Sequence, residues 1–251
     1  MRIPQHPLFL RLMTISAVSL LLCVSQPRAE DPEVAALQQI IVSLEKSLDA
    51  RIGVMILDGG TEWQWGHRQD ERFLMASTFK SVLCGAVLDH VTHTSATLED
   101  TLPVIATDIL NYAPVTRRHI GQSMTVGNLC FATLDQSDNT AANLLIGWIG
   151  GSFRVKVFLR SLGDTVTRLD RIEPELNRFV PNDPRDTTSP AAMVATWKKM
   201  LMGAGLTKAA AGQLTTWMQA GGVTGKLIRA HAPANWMIAE ILLKKSVFRL
   251  V

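Results

Sequence analysis

The chain has only one tyrosine, three cysteines and no Cys-x-x-Cys pair. That leaves little material for a cysteine-built metal site. His90 and His93 are three residues apart, but a zinc site needs further ligands nearby. The pair reads as an exposed helix end. Long basic runs are also missing. Arg117-Arg118, Lys198-Lys199 and Lys244-Lys245 are isolated pairs, so a net charge of +3 does not point to nucleic acid. There are no internal repeats and no low-complexity tracts, which excludes a repeat array or a compositionally disordered chain. The most apolar run, Leu12 to Val24, is too short for a confident membrane span.

What remains is an ordinary globular composition. The 251 residues are 47% hydrophobic and 19% charged, enough for a sizeable core and one or two domains. Residues 1–29 have the form of a secretory signal: Arg2 and Arg11 first, then the apolar segment, then Pro27-Arg28-Ala29 before Glu30-Asp31. Export to the periplasm or beyond is expected, with cleavage after Ala29, loss of Cys23 and no stable membrane association afterwards. Cys84 and Cys130 then remain. An even number of cysteines in an oxidising compartment favours a disulfide, which would contribute about 4 kcal/mol in the chain-entropy model.

Val34, Leu37, Ile41, Leu44 and Leu48 repeat at helical spacing. Arg51 to Asp58 reads as a buried strand, Gly59-Gly60 as a turn and Thr61 to Gly66 as the hairpin partner. Short helices and loops follow from Thr97 to Gly151, then helix from Pro190 to Ala220. A short helix through Ala230 and a strand starting in Asn235 to Ala239 complete the pattern. Strands at both ends around a helical middle suggest an α/β layer (30–70 and 215–251) with an all-helical domain (71–214).

The chemistry gathers around Met75-Ala76-Ser77-Thr78-Phe79-Lys80, which opens an apolar helical run. Ser77 and Lys80 lie three apart, on one face of a helix. A serine hydroxyl needs a partner to take its proton, and a lysine in an apolar setting can serve. A helix start also offers free N–H groups to a developing oxyanion. Ser-x-x-Lys alone is weak, because Ser43 and Lys46 repeat it on what reads as a solvated helix face. Two further groups strengthen it. Ser137-Asp138-Asn139 precedes an apolar helix and by itself reads as a helix cap. Arg171-Ile172-Glu173-Pro174-Glu175-Leu176-Asn177 opens a proline-rich charged loop, with Arg171 and Asp186 at its ends able to close it as an ion pair.

Together these three groups resemble the class A serine β-lactamases, whose Ser-x-x-Lys and Ser-Asp-Asn elements they match in order and spacing. The resemblance runs from about Val34 to Ala239. It implies a two-domain serine β-lactamase or transpeptidase-like fold, α/β (α+β), with an antiparallel sheet, flanking helices and an all-helical domain. It implies hydrolysis of penicillin-type antibiotics through a serine acyl-enzyme, by a monomer with no metal or cofactor. Ser77 would be the nucleophile and its own N–H half of the oxyanion hole. Lys80 would hold Ser77 and shuttle its proton, and Ser137 would pass that proton to the lactam nitrogen. Asn139 would bind the substrate amide, and Tyr112 would wall the cleft. Glu173 and Asn177 would hold the deacylating water, with Glu173 as its base. The cysteine pair also falls at family positions.

The family's third motif, Lys-Thr-Gly or Lys-Ser-Gly, should follow Trp236-Met237-Ile238-Ala239. Here Lys244-Lys245-Ser246 is followed by Val247, not glycine. By resemblance, the closing strands and a C-terminal helix are absent, and the tail from about Glu240 reads as a frameshift or truncation product. The expected costs are the second oxyanion donor and the cation for the substrate carboxylate. Two other outcomes stay open: an inactive remnant, and a penicillin-binding acyl enzyme that deacylates slowly.

Overall fold

The computed structural model describes residues 32–220, 222–223 and 228–231. Helix α1 (Pro32–Leu48) leads into a hairpin of β1 (Val54–Leu57) and β2 (Gln64–His67), paired antiparallel from Val54 opposite His67 to Leu57 opposite Gln64. The expected buried strand is only partly covered: Ile56 is exposed and the rest of β1 is intermediate. The α1 stripe behaves likewise. Ile41 is buried, while Leu44 and Leu48 are exposed. Among the described residues this layer holds only the two-stranded hairpin, too little sheet to cover either face.

Polar contacts hold α1 to the hairpin instead. Glu45 accepts from Arg68 Nε at 2.7 Å, from the Ile52 N–H at 2.7 Å, and meets His67 Nε2 at 3.3 Å. Ser43 and Lys46, the second Ser-x-x-Lys, are exposed on the other side of α1.

The next strand, β3 (Phe73–Leu74), runs into a 3-10 turn, Ala76–Thr78, and then α2 (Phe79–His93). Every residue of α2 from Phe79 to Leu88 is buried, as expected of a helix apolar on all sides. Gly85 allows this crowding, since a Cβ there would lie 2.6 Å from Met200 Sδ and 3.3 Å from Phe158. Strands β4 (Thr101–Pro103) and β5 (Ser123–Thr125) pair antiparallel and frame the following loop.

Around α2 stand α3 (Val126–Asp135), α4 (Asn139–Trp148), α5 (Ser152–Ser161), α6 (Pro190–Leu201) and α7 (Lys208–Gln219). Thr125, Asp138, Ser189 and Thr207 cap α3, α4, α6 and α7 through side-chain oxygens, each chosen for the orphan N–H groups of a first turn. The stretch from Pro190 to Ala220 is thus two helices, each with its own cap. One apolar core joins Leu83, Leu129, Leu145, Leu159, Met200 and Leu214. Helix α7 carries Ala210, Leu214, Trp217 and Met218 into it. The fold is mixed: helices with small antiparallel sheets.

Cys84 on α2 and Cys130 on α3 are buried free thiols. The expected disulfide is therefore corrected. The Cys84 thiol points at the Cys130 carbonyl oxygen, 3.7 Å away, and the core around both is closed. Burial, then the neighbouring Cys84 thiol, pushes the Cys130 thiol well above its ordinary range. The compartment argument could not supply the side-chain geometry that a disulfide requires.

Strand β6 (Thr187–Thr188) pairs antiparallel with β3, Phe73 opposite Thr188 and Leu74 opposite Thr187. Just beyond, the Met75 N–H donates to the Asp186 carbonyl at 3.0 Å. This short bridge fixes two distant stretches at once: the turn that carries Ser77, and the end of the loop that carries Glu173.

Candidate active site

Ser77 sits inside the turn that enters α2, with Ala76 before it at φ 43°. Ser137 lies between α3 and α4 at φ 55°. Both are non-glycine residues in the left-handed region, which costs of order 1–3 kcal/mol each and persists only where the surroundings enforce it. The enforcement is visible. The Ser81 hydroxyl donates to the Thr78 carbonyl at 2.8 Å and accepts from Trp197 Nε1 at 2.9 Å, tying the turn to α6. On the other side, Asp138 is fully buried and accepts from the N–H groups of Val115, Thr116 and Ala141, each at 2.9 Å, and from the Thr116 hydroxyl. The cap reading of this motif holds, because Asp138 caps α4, and its neighbours Ser137 and Asn139 lie beside Ser77 and Lys80.

Ser77 and the strained Ser137 meet. Ser77 Oγ and Ser137 Oγ are 2.9 Å apart. Lys80 Nζ, with no exposed surface, donates to the Ser137 carbonyl at 2.7 Å, to Ser137 Oγ at 3.0 Å and to Asn139 Oδ1 at 2.7 Å. Glu173 Oε1 lies 3.6 Å from the same Nζ, near enough to balance its charge. The sequence puts Lys80 beside Ser77; the structure adds that Lys80 is centred on Ser137, one hydroxyl further on. The four groups form one buried chain from hydroxyl to hydroxyl to amine to carboxylate.

Glu173 is held from both ends. Its side chain accepts from Asn177 Nδ2 at 2.6 Å. Its backbone is clasped by Asn143 on α4, whose Oδ1 accepts the Glu173 N–H at 2.9 Å while Nδ2 donates to the Glu173 carbonyl at 2.8 Å. The loop around it is not bare coil. Glu175–Asn177 form a 3-10 turn, Leu176 is fully buried beneath it, and the Glu173–Pro174 peptide is cis. Arg171 Nε donates to Asp186 Oδ2 at 2.5 Å, and Asp186 Oδ1 accepts the N–H groups of Asp170 and Arg171. Asp186 is fully buried, so losing its cation would cost roughly 3–5 kcal/mol.

Tyr112 is half-buried. Its carbonyl accepts the Asn139 N–H at 3.1 Å, so its backbone runs beside the Ser137–Asn139 stretch. The structure thus brings Ser77, Lys80, Ser137, Asn139, Glu173, Asn177 and Tyr112 to one place. Asn143, Thr116 and Ser81 were missed in the sequence; an asparagine or hydroxyl inside a helix carries no local signal of a partner far along the chain. The strand expected from Asn235 to Ala239, and Lys244, Lys245 and Ser246, lie outside the described residues. Among the described residues, no group of three or more His, Cys, Asp or Glu side chains is arranged to hold a metal ion, and no helix is long and apolar enough to cross a membrane.

Comparison with known proteins gives a consistent answer. A family model described as "Beta-lactamase enzyme family" matches residues 34–242. A "Beta-lactamase" of Rhodobacter capsulatus is 49% identical over 212 residues, covering 84% of this chain and 72% of that protein. "Beta-lactamase L2" of Stenotrophomonas maltophilia is 49% identical over 198 residues, covering 79% of this chain and 65% of that protein. Among solved structures, an ancestral class A beta-lactamase superposes with a TM-score of 0.77 at 47% identity, covering 80% of this chain and 77% of that one.

Proposed function

The chain belongs to the beta-lactamase enzyme family, class A, and from that premise we propose that it hydrolyses the β-lactam ring of penicillin-type antibiotics through an acyl-enzyme on Ser77. The observation that carries the reading is the buried sequence of contacts Ser77–Ser137–Lys80–Glu173, at 2.9, 3.0 and 3.6 Å.

In the first half-reaction Ser77 Oγ bonds to the lactam carbonyl carbon and the ring C–N bond breaks. The proton of Ser77 passes to Ser137 Oγ, while the Ser137 proton goes to the departing nitrogen. Lys80 holds Ser137 in position and offsets the charge that develops along this relay. The Ser77 N–H supplies one oxyanion donor. Asn139 has its Oδ1 committed to Lys80, which leaves its Nδ2 to receive a substrate amide oxygen. Tyr112 walls the cleft.

In the second half-reaction Glu173 takes a proton from a water held between it and Asn177. The water oxygen bonds to the acyl carbon, the ester bond to Ser77 breaks, and the proton returns to Ser77. Positioned general-base catalysis of this kind is worth roughly 10²–10⁴ in rate. Antibiotic resistance follows from such turnover. Export through residues 1–29 to the periplasm or medium, as a monomer, belongs to the same proposal.

One sequence observation favours a second reading. Val247 stands where the third motif needs glycine, so an acyl enzyme with slow release is the alternative, and an inactive remnant the limiting case. Hydrolysis of a penicillin by the purified chain, beside its Ser77→Ala variant, tests the proposal. Turnover that disappears in the variant supports it. No turnover in either protein removes it.

A further inference from the structure

A cavity of about 1050 Å³ lies away from the active site: none of Ser77, Lys80, Ser137 and Glu173 lines it. It lies between the end of α1, strand β3 and residues 178–187 of the loop closed by Arg171 and Asp186. A second cavity of about 510 Å³ shares Arg171, Arg178, Val180 and Arg185 with it. Volumes in this range suit small organic ligands.

The lining combines two chemistries. Phe73, Phe179 and Val180 give apolar surface, the last two themselves exposed. Five arginines line the larger cavity against two carboxylates, Glu71 and Asp183. Four of the five are engaged. Arg51 pairs with Glu71 at 2.6 Å, Arg171 with Asp186 and Arg185 with Asp183, while Arg72 donates to the Val166 carbonyl and Thr187 Oγ1. Among the described residues the guanidinium of Arg178 meets no hydrogen-bond or ion-pair partner. A concave apolar wall focuses the field of the surplus positive charge, and a guanidinium fork matches a planar oxyanion in two bonds.

We propose that this cavity binds a small amphipathic anion: an apolar body with one carboxylate, sulfonate or phosphate head, the head on Arg178 and the body against Phe73, Phe179 and Val180. The site is separate from the reaction proposed above and stands without it. It shares a loop with that reaction, since Arg178 directly follows the Asn177 that holds Glu173.

Isothermal titration calorimetry of the full chain with naphthalene-2-sulfonate tests the assignment, with inorganic sulfate as the head alone. The expected result is one site per chain, with sulfate binding more weakly than the arylsulfonate. Arg178→Ala weakens binding about tenfold, the loss of one charge-assisted contact. Arg178→Lys, which keeps the charge and cannot threaten the fold, weakens it several-fold. Phe179→Ala also weakens it, and Ser77→Ala binds as the parent chain does, so this outcome is read apart from any hydrolysis. Undiminished affinity in both Arg178 variants overturns the proposal. So does sulfate binding as tightly as the arylsulfonate, loss of binding in Ser77→Ala, or no binding by the parent chain.

Discussion

At the scale of single residues, side chains with several partners decide the site. Asn143 is the clearest case. It spends both ends of its amide on the backbone of Glu173, across a separation of 30 residues. Removing it leaves a partly buried N–H and C=O unpaired, at a cost of about 2 kcal/mol. Asn143→Ala should therefore lower the melting temperature by roughly 5 °C. It should also reduce kcat of penicillin hydrolysis more than it changes KM, because the carboxylate proposed to work after acylation has lost its support. A thermal melt and a steady-state analysis read the two effects. Unchanged values in both would mean that the clasp does not position Glu173. Asp138 differs in kind: with Val115, Thr116 and Ala141 on one carboxylate, it secures Ser137 and the Tyr112 loop together.

At the scale of elements, much was legible and the exceptions have physical causes. Helix α2 and the cap at Asp138 follow from local chemistry, since capping depends on residues within one turn. The hairpin was legible from Gly59-Gly60, yet its burial was not, because cover comes from other elements. Similarly, Ser77, Lys80 and Ser137 stood out as motifs, while Thr116 and Asn143 did not, since their roles exist only through contacts 22 and 30 residues away. The disulfide was misread for the same reason. The bond between α1 and the hairpin also escaped sequence reading. Arg68 first, then the Ile52 N–H and His67, hold the Glu45 carboxyl down from an ordinary 4.5 to about 2. A depressed carboxylate contributes stability that is full above its unfolded value and lost as pH falls through the folded one. The stability gap between the parent chain and Glu45→Gln should thus close as pH falls from about 4.5 to about 2. A gap that stays constant over that window would show that the carboxylate is not the anchor.

At the scale of the whole molecule, one helical core carries the site. The bridge between β3 and β6 aligns its two halves, the Ser77 turn and the Glu173 loop. That core contains two free thiols, so reductant should leave the melting temperature unchanged and native-state alkylation of Cys84 and Cys130 should be slow. A melting temperature that falls in reductant would show that the thiols pair in solution. The central claim is that Ser77 is acylated and Glu173 drives release. The most direct measurement is intact-mass spectrometry of Glu173→Gln incubated with a penicillin, followed by peptide mapping. The account predicts a stable adduct of the full penicillin mass on Ser77, absent or transient in the parent chain, which turns the drug over. No adduct on Ser77 in either protein would contradict it.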